Sequence, residues 1–358
     1  MRIAGGILRR CLDKSPWTIG RGTGAAGDTG ACDGGVGLCG RSSGGGLRWA
    51  TPTLDRLLHE SPGVRVWRGR VPRDDVPAAA VAAATAEKAT EEGGDDEEEE
   101  EEAVVVGKRE DVADPTDLPT DSTIPVVVKR IESDFFRTIE TTALDAVRGV
   151  DGFTQLLWSY RDPADNALCL VMPAYGPDML DWTVASADGM SVGDARRMAT
   201  DVGRCLVYLH RRVGVAHLDV KPENLFRCAA RRGRRRTVVV GDFGSAHDLR
   251  HPRLRSLVGT DRYAPPELRG DGPVYLFSEK SDAYSLGLTT YVAVMRTNPP
   301  TRDPAALVRD LRDRCRSAAD VAFVDHCVGS WLRTRPVDRA TVETGLRAAF
   351  SDAATAVV

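Results

Sequence analysis

The chain carries His217-Leu218-Asp219-Val220-Lys221-Pro222-Glu223-Asn224-Leu225-Phe226 and, after a short insertion, Val238-Val239-Val240-Gly241-Asp242-Phe243-Gly244. Four side chains in this order match the needs of phosphoryl transfer. A carboxylate must accept a hydroxyl proton, a cation must balance phosphate charge, and oxygen ligands must hold a magnesium ion between phosphates. Asp219, Lys221, Asn224 and Asp242 supply these types. Asp219 and Asn224 are near enough in sequence to share a loop, and Asp242 closes an apolar strand that can pair beside it. Any one of these acids alone reads as a solvated loop residue; the weight lies in the ordered set.

At these residues the chain resembles the eukaryotic protein kinase family, whose catalytic loop usually reads His-Arg-Asp and whose metal-binding turn reads Asp-Phe-Gly. The resemblance implies a two-lobed α+β fold with a small β-rich N-lobe and a larger helical C-lobe, and it implies ATP and Mg²⁺ as cofactors. Asp219 and Lys221 become the catalytic pair, and Asn224 and Asp242 the metal ligands. Upstream, Lys129 at the end of Val126-Val127-Val128-Lys129 matches the third-strand lysine that holds the α- and β-phosphates, and Glu140 is its helix partner. Leu170-Val171-Met172-Pro173-Ala174-Tyr175 resembles the hinge that reads adenine through backbone groups. Pro173 has no N–H, but the first contact in the family uses a carbonyl; the second would come from the N–H of Tyr175.

Downstream, Gly259-Thr260 and Pro265-Pro266-Glu267 resemble the end of the activation segment, with Pro-Pro-Glu in place of Ala-Pro-Glu. Asp282 matches the helix aspartate that supports the catalytic loop, and Arg339 is placed to pair with Glu267. Lys221 and Thr260 imply serine/threonine specificity, and Glu223 stands where basic-directed members hold a substrate arginine. The hinge wording, the insertions and the compact activation segment look most like the serine/threonine kinases of herpesviruses, which implies action on host and viral proteins in the host cytoplasm or nucleus.

Two departures stand out. No phosphate-covering glycine loop is evident before Lys129; its best candidate, Ser61 to Gly69, carries few glycines, so backbone amides approach phosphate less closely. Leu218 replaces the arginine that grips an activation-loop phosphate, and Ser256 stands where that phosphate sits. Activity is therefore expected not to depend strictly on phosphorylation of Ser256. The rival to an active enzyme is a pseudokinase scaffold.

The rest of the chain sets the domain plan. Gly20 to Gly46 is too rich in glycine and too poor in large apolar residues to offset its ordering entropy, which predicts a disordered leader over residues 1–53. Its Gly22-Thr23-Gly24-Ala25-Ala26-Gly27 fits GxGxxG, as chance allows in such a segment. The kinase-like domain is expected over 54–350, interrupted by an acidic low-complexity insertion at 76–102, with 351–358 a tail. Strands are predicted over Val64–Trp67, Ala103–Gly107, Ile124–Lys129 and Leu168–Met172. Helices are predicted over Glu132–Val147, Val192–Arg211, Asp282–Met295, Ala305–Arg316, Val321–Leu332 and Val342–Phe350.

The formal charge of -4 conceals ten acids between Glu91 and Glu102; removing those ten leaves +6. The eight cysteines show no paired metal-ligand spacing and read as reduced thiols of an intracellular protein. No apolar run approaches the roughly 20 residues that cross a bilayer, and Met1 to Lys14 lacks a continuous signal-peptide core. The arginines of Arg227 to Arg236 leave two readings open, a nuclear import or acidic-partner site and an exposed hairpin tip. Protein substrates bearing Ser or Thr, some with nearby basic residues, are the expected partners; nucleic acid and membrane are not.

Overall fold

The computed structural model describes residues 51–61, 63–72, 123–132, 134–185, 189–227, 238–269 and 273–355. The glycine-rich leader, the acidic block, the expected strand at Ala103–Gly107 and most of the arginine insertion lie outside the described residues.

Strand alternation builds the first lobe. On β3 (Thr123–Ile131), Ile124, Val126 and Val128 point to one face of the sheet, where they pack with Val71, Leu157, Trp158, Cys169 and Val171. Ile131 joins the opposite, larger core with Leu168 and Leu170 of β5 (Leu168–Pro173). This two-residue period is what a strand buried on both sides requires. Two earlier strands, β1 (Thr53–Ser61) and β2 (Val64–Pro72), and β4 (Trp158–Arg161) complete an antiparallel sheet of order β1-β2-β3-β5-β4. The helix α1 (Asp134–Ala146) follows β3 and buries Ala143 and Leu144.

After the strand at Pro173 the chain turns mainly helical, as expected. Helix α2 (Met179–Ala185) leads to α3 (Val192–Tyr208), capped by Ser191, whose hydroxyl accepts from the Asp194 N–H at 3.1 Å. The long α3 ends in a wider turn over Leu209–Val213 and stops at Gly214, φ 81°. Short strand pairs then frame the site: β6 (Val215–Ala216) with β9 (His247–Asp248), β7 (Leu225–Arg227) with β8 (Val238–Val240), and β10 (Arg253–Leu254) with β11 (Tyr275–Leu276).

The centre of the second lobe is α4 (Glu279–Met295), buried from Ser281 to Val294, with its buried polar side chains such as Asp282, Ser285 and Thr289 hydrogen-bonded. Around it stand α5 (Pro304–Arg312), α6 (Ala318–Phe323), the short α7 (Gly329–Trp331) and α8 (Val342–Thr355). The helix expected over Val321–Leu332 is present as one helical run from Ala318 to Trp331, widened to a π-type turn at Val324–Val328, and α8 runs past 350 into the expected tail. No helix among the described residues is long and apolar enough to cross a membrane.

Candidate active site

The loop from His217 to Asn224 joins β6 to β7, and a single buried carboxylate holds its start. Asp282, in the first turn of α4, accepts from the N–H groups of His217 and Leu218 at 2.8 Å each and is bonded to His210 Nε2 at 2.7 Å. Burial works against its charge, but the bonds from His210 and His217 prevail and hold its pKa below the usual carboxylate value. His217 is fixed in turn: its Nε2 donates to the Gly241 carbonyl at 3.0 Å while Nδ1 accepts from the Asp219 N–H at 3.3 Å. These bonds force Leu218 to φ 62°, a left-handed conformation costing a leucine roughly 1–2 kcal/mol.

That turn delivers Asp219. Its Oδ2 lies 2.9 Å from Lys221 Nζ and accepts from Asn224 Nδ2 at 3.1 Å, while Asn224 Nδ2 also donates to the Asp219 carbonyl at 2.9 Å. The other oxygen, Asp219 Oδ1, is buried without a hydrogen-bond partner. Lys221 Nζ reaches on to Thr260 Oγ1 at 2.7 Å. Asn224 spends its amide hydrogens on Asp219, which leaves its carbonyl oxygen for a cation.

Lys129, Glu140 and Asp242 meet between the lobes. Lys129 Nζ is 2.7 Å from Glu140 Oε1 and 2.7 Å from Asp242 Oδ1. Burial disfavours the ammonium, yet Asp242 and Glu140 outweigh it and raise the Lys129 pKa. Burial likewise raises Glu140, opposed by Lys129, whereas Asp242 is driven well below the carboxylate range because Lys129 overcomes its desolvation. Asp242 takes φ 60° and its side chain keeps 40% exposure. Gly244 donates its N–H to Asp242 Oδ1 at 3.3 Å; a Cβ there would lie 3.5 Å from Lys129 Nζ and 3.6 Å from Glu140 Oε2. Phe243, fully buried, packs on His217 and Phe153 with ring centroids 5.4 and 6.1 Å away, tying the two lobes behind the site.

A Mg²⁺ ion fits this donor set. Asn224 and Asp242 offer hard oxygen atoms on two short turns, and such an ion draws its remaining ligands from substrate phosphates and water.

The other expected residues divide into those at the site and those that support it. Pro173 pairs across the sheet with Val126, and the Ala174 N–H donates to the Pro125 carbonyl at 3.2 Å, so Met172 to Ala174 stays strand-like where the lobes meet. The Tyr175 hydroxyl accepts from the Gln155 N–H at 3.2 Å and its ring stacks on Phe226. Arg339, its side chain wholly buried, forks onto Glu267 at 2.6 and 2.9 Å, donates to three carbonyls and lies over the Tyr284 ring. Ser256 is exposed on the activation segment. The Ser61–Gly69 segment proves to be the β1–β2 hairpin: Ser61 pairs with Val64 up to the turn, and Val66 pairs with Lys129 on β3.

Sequence reasoning missed His210, and it read Gly259 only as part of the Gly259-Thr260 motif without its backbone role. His210 is a lone histidine on an amphipathic helix until Asp282 meets it. Gly259, φ 78°, lets the activation segment lie on the catalytic loop: a Cβ would fall 2.2 Å from the Leu218 carbonyl oxygen. Its place before Thr260 was the available signal.

Residues 128–327, more than half of the chain, match the sequence profile of the protein kinase domain. The serine/threonine-protein kinase DCLK2 of Mus musculus is 32% identical over 139 residues, which is 39% of this chain and 17% of that protein. The Wee1-like protein kinase of Oryza sativa subsp. japonica is 35% identical over 115 residues, 32% of this chain and 20% of its own. The CDPK-related kinase 4 of Arabidopsis thaliana is 27% identical over 161 residues, 45% of this chain and 26% of its own. The matched segments thus cover 17% to 26% of the length of these curated relatives.

Proposed function

Since this chain belongs to the protein kinase family, with a domain of the eukaryotic serine/threonine type, we propose that it transfers the γ-phosphoryl group of ATP to serine or threonine hydroxyls of proteins. The observation that carries this reading is the state of Asp219: one oxygen held by Lys221 and Asn224, the other buried and unpartnered. An acceptor hydroxyl placed there donates its proton to Oδ1 as its oxygen attacks the γ-phosphorus; the bond to the β-phosphate bridging oxygen breaks and ADP leaves. Lys221 offsets charge on the moving group. Lys129, oriented by Glu140, positions the α- and β-phosphates, and the Pro173 carbonyl with the Tyr175 N–H reads adenine. Asn224 and Asp242 would hold Mg²⁺, whose charge neutralises phosphate oxygens when bound.

Glu223, whose Oε2 is buried and unpartnered, supports substrates with a basic residue near the acceptor. The finer likeness to herpesvirus kinases, and with it host and viral substrates, rests on hinge wording, insertions and segment length; the relatives above come from mouse, rice and Arabidopsis and add nothing to it.

The test is Mg²⁺-dependent ATP binding together with autophosphorylation in the wild type, Asp242→Asn and Asp219→Ala. Wild-type transfer lost in both variants is expected, and undiminished transfer by Asp219→Ala sinks the mechanism. The tight β1–β2 turn favours one alternative, a pseudokinase scaffold; ATP binding without transfer by the wild type would select it.

A further inference from the structure

We infer that Leu218, Leu254 and Phe277 form an apolar clamp that holds the activation segment in its substrate-ready course with no phosphate on it; what this means for substrate rests on the kinase reading above. Leu218 is buried in a cluster with Ala216, Leu254, Ala264, Leu268 and Phe277, bordered by Leu249, Val258 and Tyr275. The cluster joins three pieces of chain. Leu218 belongs to the catalytic loop, Leu254 to the middle of the activation segment, Ala264 to its end, and Phe277 to the stretch entering α4.

Backbone bonds seat Leu254 in this cluster. Leu254 pairs with Tyr275 across β10 and β11, and the Phe277 N–H donates to the Pro252 carbonyl at 3.2 Å. Five residues on, Gly259 rides against the Leu218 carbonyl, and next to it Thr260 is bonded to Lys221. Leu218 therefore meets the segment twice: its side chain shares one apolar cluster with Leu254, and its backbone carbonyl lies against Gly259. Fixing Leu254 fixes the approach of Thr260 to Lys221 and Asp219.

A charged group at position 218 would enter an apolar cluster and be costly unless paired. A phosphate on exposed Ser256 would gain nothing from the leucine. Burial of apolar surface depends little on ionic strength, unlike an arginine–phosphate contact. Leu218, Leu254 and Phe277 are positioning residues, since they act through Gly259, Thr260 and Lys221.

The experiment combines amide hydrogen exchange and steady-state kinetics on the full chain after phosphatase treatment, with a serine peptide carrying an N-terminal-side arginine as probe. In the wild type and in Ser256→Ala, residues 247–260 should be equally protected. Leu254→Ala should speed exchange there about tenfold or more and raise the peptide KM by a similar factor, with the KM for ATP within about twofold. Leu254→Met should restore both readouts, and Leu254→Val should fall between, which keeps the test alive should Leu254→Ala not fold. Unchanged exchange in Leu254→Ala and Leu254→Val, or loss of protection in Ser256→Ala, overturns the clamp. If the wild type transfers no phosphate while the exchange pattern holds, the clamp stands and the kinase reading falls.

Discussion

The β1–β2 hairpin and the catalytic loop are built in opposite ways. Eight of the nine residues of β1 are exposed, including Leu54, Leu57 and Leu58, and the hairpin is held chiefly by its backbone pairing and by β3. From Ala216 to Val220 every residue is buried, the His217 ring bonds the Gly241 carbonyl and the Asp219 N–H, and Asp219 Oδ2 is held by Lys221 and Asn224. A part that must orient a reacting hydroxyl needs fixed geometry, because misplacement forfeits rate steeply. A hairpin with few buried side chains opens at low free-energy cost, which suits the nucleotide-covering role proposed for it. The two regions thus divide precision from access.

The largest effect should come from the fixed side. Asp219→Ala should lower transfer by about 10²–10⁴-fold while leaving the urea midpoint unchanged, and a rate within threefold of wild type would break the contrast. Lys129→Ala should abolish transfer in the same assay with the fold intact. Next, Arg339→Ala should cost about 3–5 kcal/mol by urea unfolding, since it leaves the Glu267 carboxylate and three carbonyls without their buried donor. Arg339→Lys should recover little, because one ammonium cannot reproduce the planar fork.

Asp282→Asn should cost about 2–3 kcal/mol near neutral pH, since an amide meets N–H donors with one oxygen only. The sign of its pH dependence follows from its depressed pKa. The stabilisation is present above the unfolded value of about 3.9 and is lost as pH falls through the lower folded value. Denaturation at pH 7, 5 and 3 should show the gap between wild type and variant closing only at the acid end. Smallest of all, Leu58→Ser on exposed β1 should shift stability by less than about 0.5 kcal/mol and leave transfer unchanged. A large loss there would show the hairpin to be as rigid as the loop.

Legibility followed the same division. Asp219, Lys221, Asn224 and Asp242 could be read because they fall within two short segments whose spacing already confines them to neighbouring turns. Lys129 and Glu140 gained meaning only in that company, and the structure brings them within 2.7 Å of each other. The strands at Ile124–Lys129 and Leu168–Met172 and the longer helices could be read from their apolar periods, whereas α2 and the short strands β4, β6 and β9 to β11 hold too few residues to show one. The β1–β2 hairpin could not be placed, because its partner β3 begins on the far side of residues 73–122 and pairing across such an interval leaves no local mark. Likewise, the widened turn at Val324–Val328 leaves no mark in a run that reads as one helix.

By itself, then, the sequence determined which chemical groups the site holds and their order, since carboxylate, ammonium and amide types are written in the residues. Only the tertiary structure decided that Asp282 braces the loop through His210 and two backbone N–H groups. It also decided that Leu218 meets Leu254 in one apolar cluster. The reason is physical: a leucine or a lone histidine carries no signature of its role until burial and hydrogen-bond direction, which depend on distance in space, select its partners.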